Sequence, residues 1–457
     1  AGASRCLAAG RPQRRSGDRR GPLPTGAAPA PDSDYRLVGS TVENLPGSAM
    51  GTVAVSTQNR FQRTPDGAVW TVLGPTHGFW TRYLSAFDRV RLLAEVTDVP
   101  LPPTGAARVD GAGVEVWPLP CGRGPRGLLP GRAALRRSLR YGVDDVDAVI
   151  LRSPSPAANL LAPILRRSHR GYAVEVVADP QDMFDGPVAT YLVRRWRAHR
   201  AARQLLEQCG DATAVAYTTG TSLQLRCPPG PHTVAADYPD VDLRADAFVC
   251  EPREPAASGG PVTLISAGTL DRSRHGVDVV LAAMRRLADD GIRADLVHLG
   301  DGRSRPQLER RAARLGLTDR VVLAGERPAT EIRSWLDAAD VFVSPTPAGA
   351  YSPVVVEAMA RGLPVVAVAA VGPPDLFEAD CLVSTGDPAT LAEVVRRLLT
   401  QPQRMVEVAA AGLVRSRGYR TELVAPRRAM FYRVVRMAGR PMPVAPAARA
   451  REHAPTS

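Results

Sequence analysis

Residues 262–302, VTLISAGTLDRSRHGVDVVLAAMRRLADDGIRADLVHLGDG, decide the fold. The stretch opens on a short apolar run, VTLISAG (262–268), and passes through a loop of small and basic residues. From Val277 to Leu287 the apolar residues recur at three- and four-residue spacing. The first pattern is that of a strand buried on both faces, and the second that of a helix with one face on a core. DLVHLGDG (295–302) starts the cycle again. It continues with a helix over 306–316, a strand at VVLAG (321–325), a helix over 331–339 and a strand at VFVSP (341–345). A helix over 354–362, a strand at PVVAVA (364–369), a short helix near 374–379 and a strand at CLVS (381–384) follow. A long helix is predicted after Asp387-Pro388, where Asp caps and Pro opens the first turn. Short apolar strands alternating with amphipathic helices predict a parallel sheet covered on both faces, a doubly wound α/β domain over 262–400.

Working back towards the N-terminus, the same alternation recurs less cleanly. Strands are predicted at 52–56, 90–96, 114–120, 147–152, 172–179 and 213–219, with helices over 79–87, 131–141, 157–168 and 188–208. Residues 238–261 shift towards Pro, Gly, Ser and acids, the composition of a linker. The expected organisation is a basic disordered tail (1–36), a Rossmann-like domain (37–237), the linker (238–261) and a second Rossmann-like domain (262–400). C-terminal helices (401–440) that can cross back to the first domain, and a disordered tail (441–457), complete it. Two such domains face a cleft, and ligands of these sheets sit at the carboxyl ends of the strands.

Charge narrows the function classes. The 457 residues carry 58 cationic side chains, all of them arginine, against 46 acids, for a formal charge of +12. A charge of that size invites a nucleic-acid reading. Its location argues against one. Residues 1–36 hold seven arginines and three acids, and residues 421–457 hold seven arginines and two. The two termini thus carry +4 and +5, leaving +3 for the stretch between. No nucleic-acid partner is expected, and the basic tails are the segments that can touch an anionic membrane. No apolar run is long enough to span a bilayer, and none follows the N-terminal arginines as a secretory signal requires. The six cysteines show no C-x-x-C spacing and no histidine at metal-ligand distance. That pattern fits a reducing cytoplasm, with neither a disulfide framework nor a metal.

Within the second domain, AYSPVVVEAMARGLPVVA (350–367) carries the most chemistry. A small-residue loop leaves the strand ending near Pro345, and a helix starts about Ser352-Pro353. The free amides from Ser352 to Val354, with the helix dipole behind them, can hold a diphosphate. Glu357, one turn in, can accept hydrogen bonds from a ribose diol or simply lie in solvent.

This string resembles the helix signature of the retaining nucleotide-sugar glycosyltransferases of family 4, in which seven residues separate a first glutamate from Glu-Ala-Met-Ala-x-Gly-x-Pro-Val-Val. SAGTLDRSRHGVDVVLAAM (266–284) is similar to the strand–loop–helix that opens the family's donor domain. LVHLGDGRSRPQLERRAARLGLTDRVVLAGERP (296–328) is similar to its Gly-Asp-Gly segment, and VSTGDPATLAEVVRRLL (383–399) to the region after the donor site. The likeness is strong over 262–400 and weaker over 50–230. It implies a GT-B fold and transfer of a sugar, with retention, from a nucleotide-diphosphate donor to a hydroxyl of a glycan, a lipid-linked molecule or a small molecule. The implied donor-binding residues are Thr269, Arg272, Arg274, His275, Gly300, Gly302, Ser352, Pro353, Val354 and Glu357. No cofactor or metal is implied, because arginines and helix amides replace the divalent ion. Three positions depart from the family pattern. Gly349 stands where the first glutamate falls, His275 where a lysine is usual, and Thr269 where many members have arginine. The first two leave open a second reading, a nucleotide-sugar-binding protein without turnover.

The first domain offers weaker candidates. Glu175, Asp179 and Asp182 cluster at the end of a predicted strand, where they can bind acceptor hydroxyls, orient the nucleophile or serve as structural caps. Arg152 ends another strand. STQNRFQRTPDG (56–67) is the expected acceptor loop, and His77 is a loop histidine that can face the cleft or serve the structure; the remaining histidines have no catalytic partner. The chain has no G-x-S-x-G, H-E-x-x-H or phosphate-loop lysine motif.

Overall fold

In the computed structural model of the chain, the residues described are 51–72, 74–120, 130–180, 191–218, 221–255, 261–270, 276–344, 353–368, 376–384 and 386–438. Both tails lie outside these residues, whereas Arg427, Arg428, Arg433 and Arg436 of the basic C-terminal segment fall within them.

The first sheet is built from β1 (Thr52–Arg63), β2 (Val69–Thr71), β3 (Arg89–Asp98), β4 (Ala107–Arg108) and β5 (Val114–Leu119), followed by β6 (Ala148–Ser153), β7 (Ala173–Val176), β8 (Ala214–Tyr217) and β9 (Val234–Asp237). Its parallel body runs β5-β3-β1-β6-β7-β8-β9, with β2 and β4 added antiparallel at the far end of β1. Every residue of β6, β7 and β8 is buried, as a sheet with helices on both faces requires. The helices are α1 (His77–Trp80), α2 (Pro130–Tyr141), α3 (Pro156–Arg167), α4 (Tyr191–Asp211) and α5 (Thr221–Arg226). Helix α3 starts where Ser155 accepts a hydrogen bond from the Ala158 amide at 3.1 Å, with Pro156 in the first turn.

The second sheet has the order β12-β11-β10-β13-β14-β15, all parallel. Its strands are β10 (Val262–Ala267), β11 (Ala294–Leu299), β12 (Val321–Gly325), β13 (Val341–Ser344), β14 (Val365–Val368) and β15 (Leu382–Val383). Helices α6 (Val277–Asp289), α7 (Arg305–Arg314), α8 (Ala329–Asp337), α9 (Pro353–Ala360) and α10 (Pro388–Thr400) connect and cover them. At the start of α10, Asp387 accepts from the amides of Ala389 and Thr390 at 2.9 and 3.1 Å. Two apolar clusters, one around Leu281, Leu296 and Leu398 and one around Phe342, Val356 and Leu363, pack the sheet.

Two passages of chain join the domains. Residues 238–255 lead from β9 into the second domain, where the Val249 amide bonds to the Ala360 carbonyl at 3.0 Å and the Arg253 amide to that of Gly362 at 2.8 Å. Helix α11 (Pro402–Ser416) packs beside α9, with Gly412 against Met359, and leads into α12 (Thr421–Ala438). Helix α12 lies on the first sheet, with Phe431, Tyr432 and Val435 in the same cluster as Val53, Trp80 and Val90. The passages meet where the Leu243 amide bonds to the Tyr419 carbonyl at 2.7 Å and the Thr421 amide to the Leu243 carbonyl at 2.9 Å.

One expectation is overturned here. Residues 56–63 are not a loop: β1 runs on to Arg63. A register shift between Ser56 and Arg60 in the pairing with β3 lets the strand continue and places Phe61 in the core beside Trp80. The turn falls at Thr64 to Gly67, where Asp66 accepts from the Ala68 amide at 3.2 Å.

Candidate functional site

In the second sheet the strand order reverses between β10 and β13, the switch point at which open α/β sheets bind ligands. Backbone lines this point on the β10 side. The Gly268 amide bonds to the Leu299 carbonyl at 2.9 Å, and the Leu270 amide to that of Asp301 at 2.8 Å, so the turns after β10 and β11 lie side by side. Gly300 has φ +134, and a Cβ there would stand 2.0 Å from the Gly268 carbonyl oxygen. Only glycine allows the two turns to approach so closely. The Gly300 amide bonds to the Gly325 carbonyl at 2.8 Å. Asp301 accepts from the Gly302 amide at 2.7 Å and from Arg305 at 2.9 Å. Thr269 is exposed, its hydroxyl 3.4 Å from the Asp301 carbonyl.

Beneath the turn, buried His298 places Nε2 at 3.0 Å from the Gly268 carbonyl and Nδ1 at 2.8 Å from the Ser266 hydroxyl. A carbonyl only accepts, so Nε2 carries the proton and Nδ1 accepts from Ser266. His298 was not singled out in the sequence. It sits mid-strand, where a histidine reads as one more alternating residue.

On the β13 side, α9 begins at Pro353, exposed, and Val354, half-buried. Glu357 is tied to α8: its Oε1 accepts from Arg333 at 2.9 Å, and Arg333 also reaches Asp246 at 3.1 Å. Arg272, Arg274, His275, Ser352 and Gly349 lie outside the described residues. The structure therefore brings Thr269, Gly300 and Gly302 together, and places Pro353, Val354 and Glu357 on the helix that follows the neighbouring strand.

The carboxylates of the first domain have another role. Glu175, 1% exposed, is enclosed by four donors. Its Oε1 accepts from Tyr238 at 2.8 Å and Tyr432 at 3.0 Å, and its Oε2 from Tyr83 at 2.7 Å and Arg152 at 2.7 Å. Arg152 continues to Asp240 at 2.7 Å, and Arg82 to the same carboxylate at 2.8 Å. Arg428 reaches Asp242 at 2.9 Å. Glu175 is thus a structural carboxylate rather than a candidate for acceptor hydroxyls, because its lone pairs are occupied from within. Asp179 is buried and paired with Arg226, and Asp182 lies outside the described residues. Arg152 belongs to the network rather than to an open strand end. His77 sets Nε2 at 3.2 Å from the Ala112 carbonyl. The tyrosines carry no sequence signal, since nothing local marks residues at 83, 238 and 432 as neighbours. Among the described residues no group of three or more His, Cys, Asp or Glu is arranged to hold a metal, and no helix is long and apolar enough to cross a membrane.

The network predicts a pH dependence. Burial, reinforced by the Glu175 charge, raises the phenols of Tyr83, Tyr238 and Tyr432 above their ordinary range. Burial pushes the Cys209 thiol up to about 12. In the unfolded chain these groups lose protons near pH 10 for the phenols and about 8.5 for the thiol. Between those values and the folded ones the folded state binds more protons, so stability falls as pH rises, by ~1.4 kcal/mol per pH unit for each group. The expected result is a melting temperature that drops with increasing steepness above about pH 10, and less steeply in Tyr432→Phe. A flat profile to about pH 11 contradicts it.

Residues 261–401, which contain both sides of the switch point, match the family described as glycosyl transferases group 1. The chain is similar to a 2-deoxystreptamine glucosyltransferase of Streptomyces kanamyceticus, with 31% identity over 246 residues, covering 50% of this chain and 59% of that protein. The chain thus spans less than two thirds of that relative's length. Among solved structures, a sucrose-phosphate synthase from Thermosynechococcus elongatus superposes with a TM-score of 0.63 at 18% identity, over 85% of this chain and all of that one. Anabaena HepE in complex with UDP-glucose gives 0.57 at 15% identity, over 83% and 98%. The shared architecture is the GT-B fold, two Rossmann-like parallel-sheet domains.

Proposed function

We propose that this chain, whose residues 261–401 match the family of group 1 glycosyl transferases, moves a sugar from a nucleotide-diphosphate donor to an acceptor hydroxyl. The observation that carries the reading is the coincidence of that match with the β10/β13 switch point, where the turns after β10 and β11 lie side by side and α9 follows the neighbouring strand. Support for a nucleotide-sugar donor comes from the solved relative described as bound to UDP-glucose. On this reading the donor diphosphate lies against the turns at Gly268 to Thr269 and Gly300 to Gly302, with the Val354 amide at the start of α9 as a further donor. As the bond from the sugar to the diphosphate breaks, its electrons go to the departing phosphate oxygen. Amide dipoles and the arginines Arg272 and Arg274, with His275 beside them, stabilise that charge. Retention of configuration and the absence of a metal requirement belong to the same proposal. The acceptor is a hydroxyl of a glycan, lipid-linked or small molecule.

Glu357 is assigned to the ribose diol, with Arg333 holding the carboxylate in place from α8. Its replacement in Glu357→Ala is expected to weaken donor binding by ~1–3 kcal/mol, the scale for losing a charged hydrogen-bond partner. Titration calorimetry with nucleoside diphosphates and their sugars measures this, and an unchanged affinity removes Glu357 from the site. Gly349 and His275, where the family has glutamate and lysine, favour a second reading, binding without turnover. A donor and acceptor panel with product detection separates the two. Transfer to any acceptor supports the enzyme, whereas calorimetric binding with neither transfer nor donor hydrolysis supports the binder.

A further inference from the structure

The charge of the chain is sorted more sharply than its sequence totals disclose. Helices α2, α3 and α4 hold eleven arginines and two acids, a net of nine positive charges, although 37–420 as a whole carries only three. The three helices form one layer: Leu139, Leu161, Leu165 and Leu205 meet in a single cluster beneath it. Arg136, Arg137, Arg140, Arg166, Arg167, Arg195, Arg197, Arg200 and Arg203 of these helices are exposed.

Between α2 and α3 runs an open groove of about 1230 Å³, lined by Arg136, Arg137, Arg140 and Arg167, by one acid, Asp144, and by the half-buried Leu160 and Ile164. All four arginines are exposed, and none has an acidic partner among the described residues. Arg166 differs, being paired with Asp211 at 2.8 Å. Part of this charge complements the carboxyl ends of α2 and α3, as cations in a last turn do. That accounts for Arg140 and Arg167 and leaves Arg136 and Arg137, further from those ends. On α4, Arg195, Arg197, Arg200 and Arg203 are exposed, and Trp196 stands 60% exposed with Arg200 5.7 Å from its ring centroid. Tyr141, at the end of α2, is 58% exposed.

Arginines interleaved with an exposed tryptophan, an exposed tyrosine and a partly apolar groove are the chemistry of a surface that lies on anionic lipid. The cations meet the phosphates, and the aromatic rings enter the headgroup layer. We propose that the α2–α3–α4 layer docks the protein on an anionic phospholipid bilayer. The inference is independent of the donor site and moves the expected membrane contact from the tails to a folded surface. A nucleic-acid duplex would meet the same charge, but the apolar part of the groove lining gives it nothing to read.

The test uses the full chain and sedimentation with vesicles of phosphatidylcholine alone or with about a third phosphatidylglycerol. Binding is expected only to the anionic vesicles, and to weaken as salt is raised. The combined variant Arg136→Gln, Arg137→Gln, Arg140→Gln, Arg167→Gln is expected to lower the partition coefficient at least tenfold, with an unchanged melting temperature. Trp196→Ser is expected to lower it further. A second full-length variant with Arg11, Arg14, Arg15, Arg19 and Arg20 changed to glutamine is expected to keep most of the binding. Loss in this tail variant with none in the helix variant overturns the proposal. So does binding to duplex DNA without binding to anionic vesicles.

Discussion

Glu175→Ala is expected to destabilise the fold by ~3–5 kcal/mol, the range for breaking a buried ion pair from one side. The carboxylate lies under α12 and binds four donors from four separate parts of the chain: β6, the turn after α1, the start of the linker, and α12. Removing it leaves three phenol hydroxyls without their acceptor and takes from the buried Arg152 guanidinium one of its two carboxylates. Arg152 retains only Asp240, which burial alone would raise but which Arg152 and Arg82 hold below the ordinary carboxylate range. Against a domain stability of about 5–15 kcal/mol, such a loss removes much of the folded population at physiological temperature. Tyr432→Phe deletes one donor and leaves the other three, so it is expected to cost about 1 kcal/mol. Urea denaturation measures both. Hydrogen exchange adds a spatial check, because α12 amides are expected to lose protection before those of β10 and β11. A Glu175→Ala cost no larger than that of Tyr432→Phe sinks the account.

Gly300→Ala is expected to combine strain with a steric collision. The added methyl would meet the Gly268 carbonyl oxygen at 2.0 Å and its carbon at 2.9 Å, and neither is the tip of a flexible side chain. The φ of +134 adds backbone strain of about 1–3 kcal/mol for a residue with a Cβ. Either the turn after β10 or the one after β11 must move, breaking the bond from Gly300 to Gly325. Gly316→Ala is the control. Its φ is also positive, +69, but nothing lies within 4 Å of the added carbon. The control is expected to lose about 1 kcal/mol of stability and keep nucleotide-sugar affinity, whereas Gly300→Ala is expected to lose more than about 3 kcal/mol and at least tenfold in affinity. Equal effects in the two variants would mean that the close approach of the turns is unimportant.

These two residues also mark what sequence reasoning can reach. The alternation of 262–400 is a local periodic signal, and it carried the fold class and the family resemblance. Gly300 stands inside a contiguous motif and could be named as a candidate. The continuation of β1 past Ser56 escaped because NRFQR offers one apolar side chain in five, and the bulge that turns Phe61 inward depends on pairing with β3. Glu175 was visible as a carboxylate at a strand end, but its burial follows from Tyr83, Tyr238 and Tyr432, at separations of 92, 63 and 257 residues. Such contacts are products of the tertiary fold and leave no periodic trace. The arginine layer escaped for a related reason. Charge totals along the chain average over acids that the fold sends elsewhere.

The docking of α12 also constrains how the protein is made. Ribosomal synthesis delivers β1 through β9 before the second domain, yet the helix that covers Val53 and Val90 and supplies Tyr432 emerges only after it. Between Tyr238 and Tyr432, at roughly 5–20 residues per second, the nascent first domain waits on the order of 10 to 40 seconds with an apolar face and a carboxylate open to solvent. The first domain is therefore contiguous in sequence only in part, and it completes its core after the second domain has been translated.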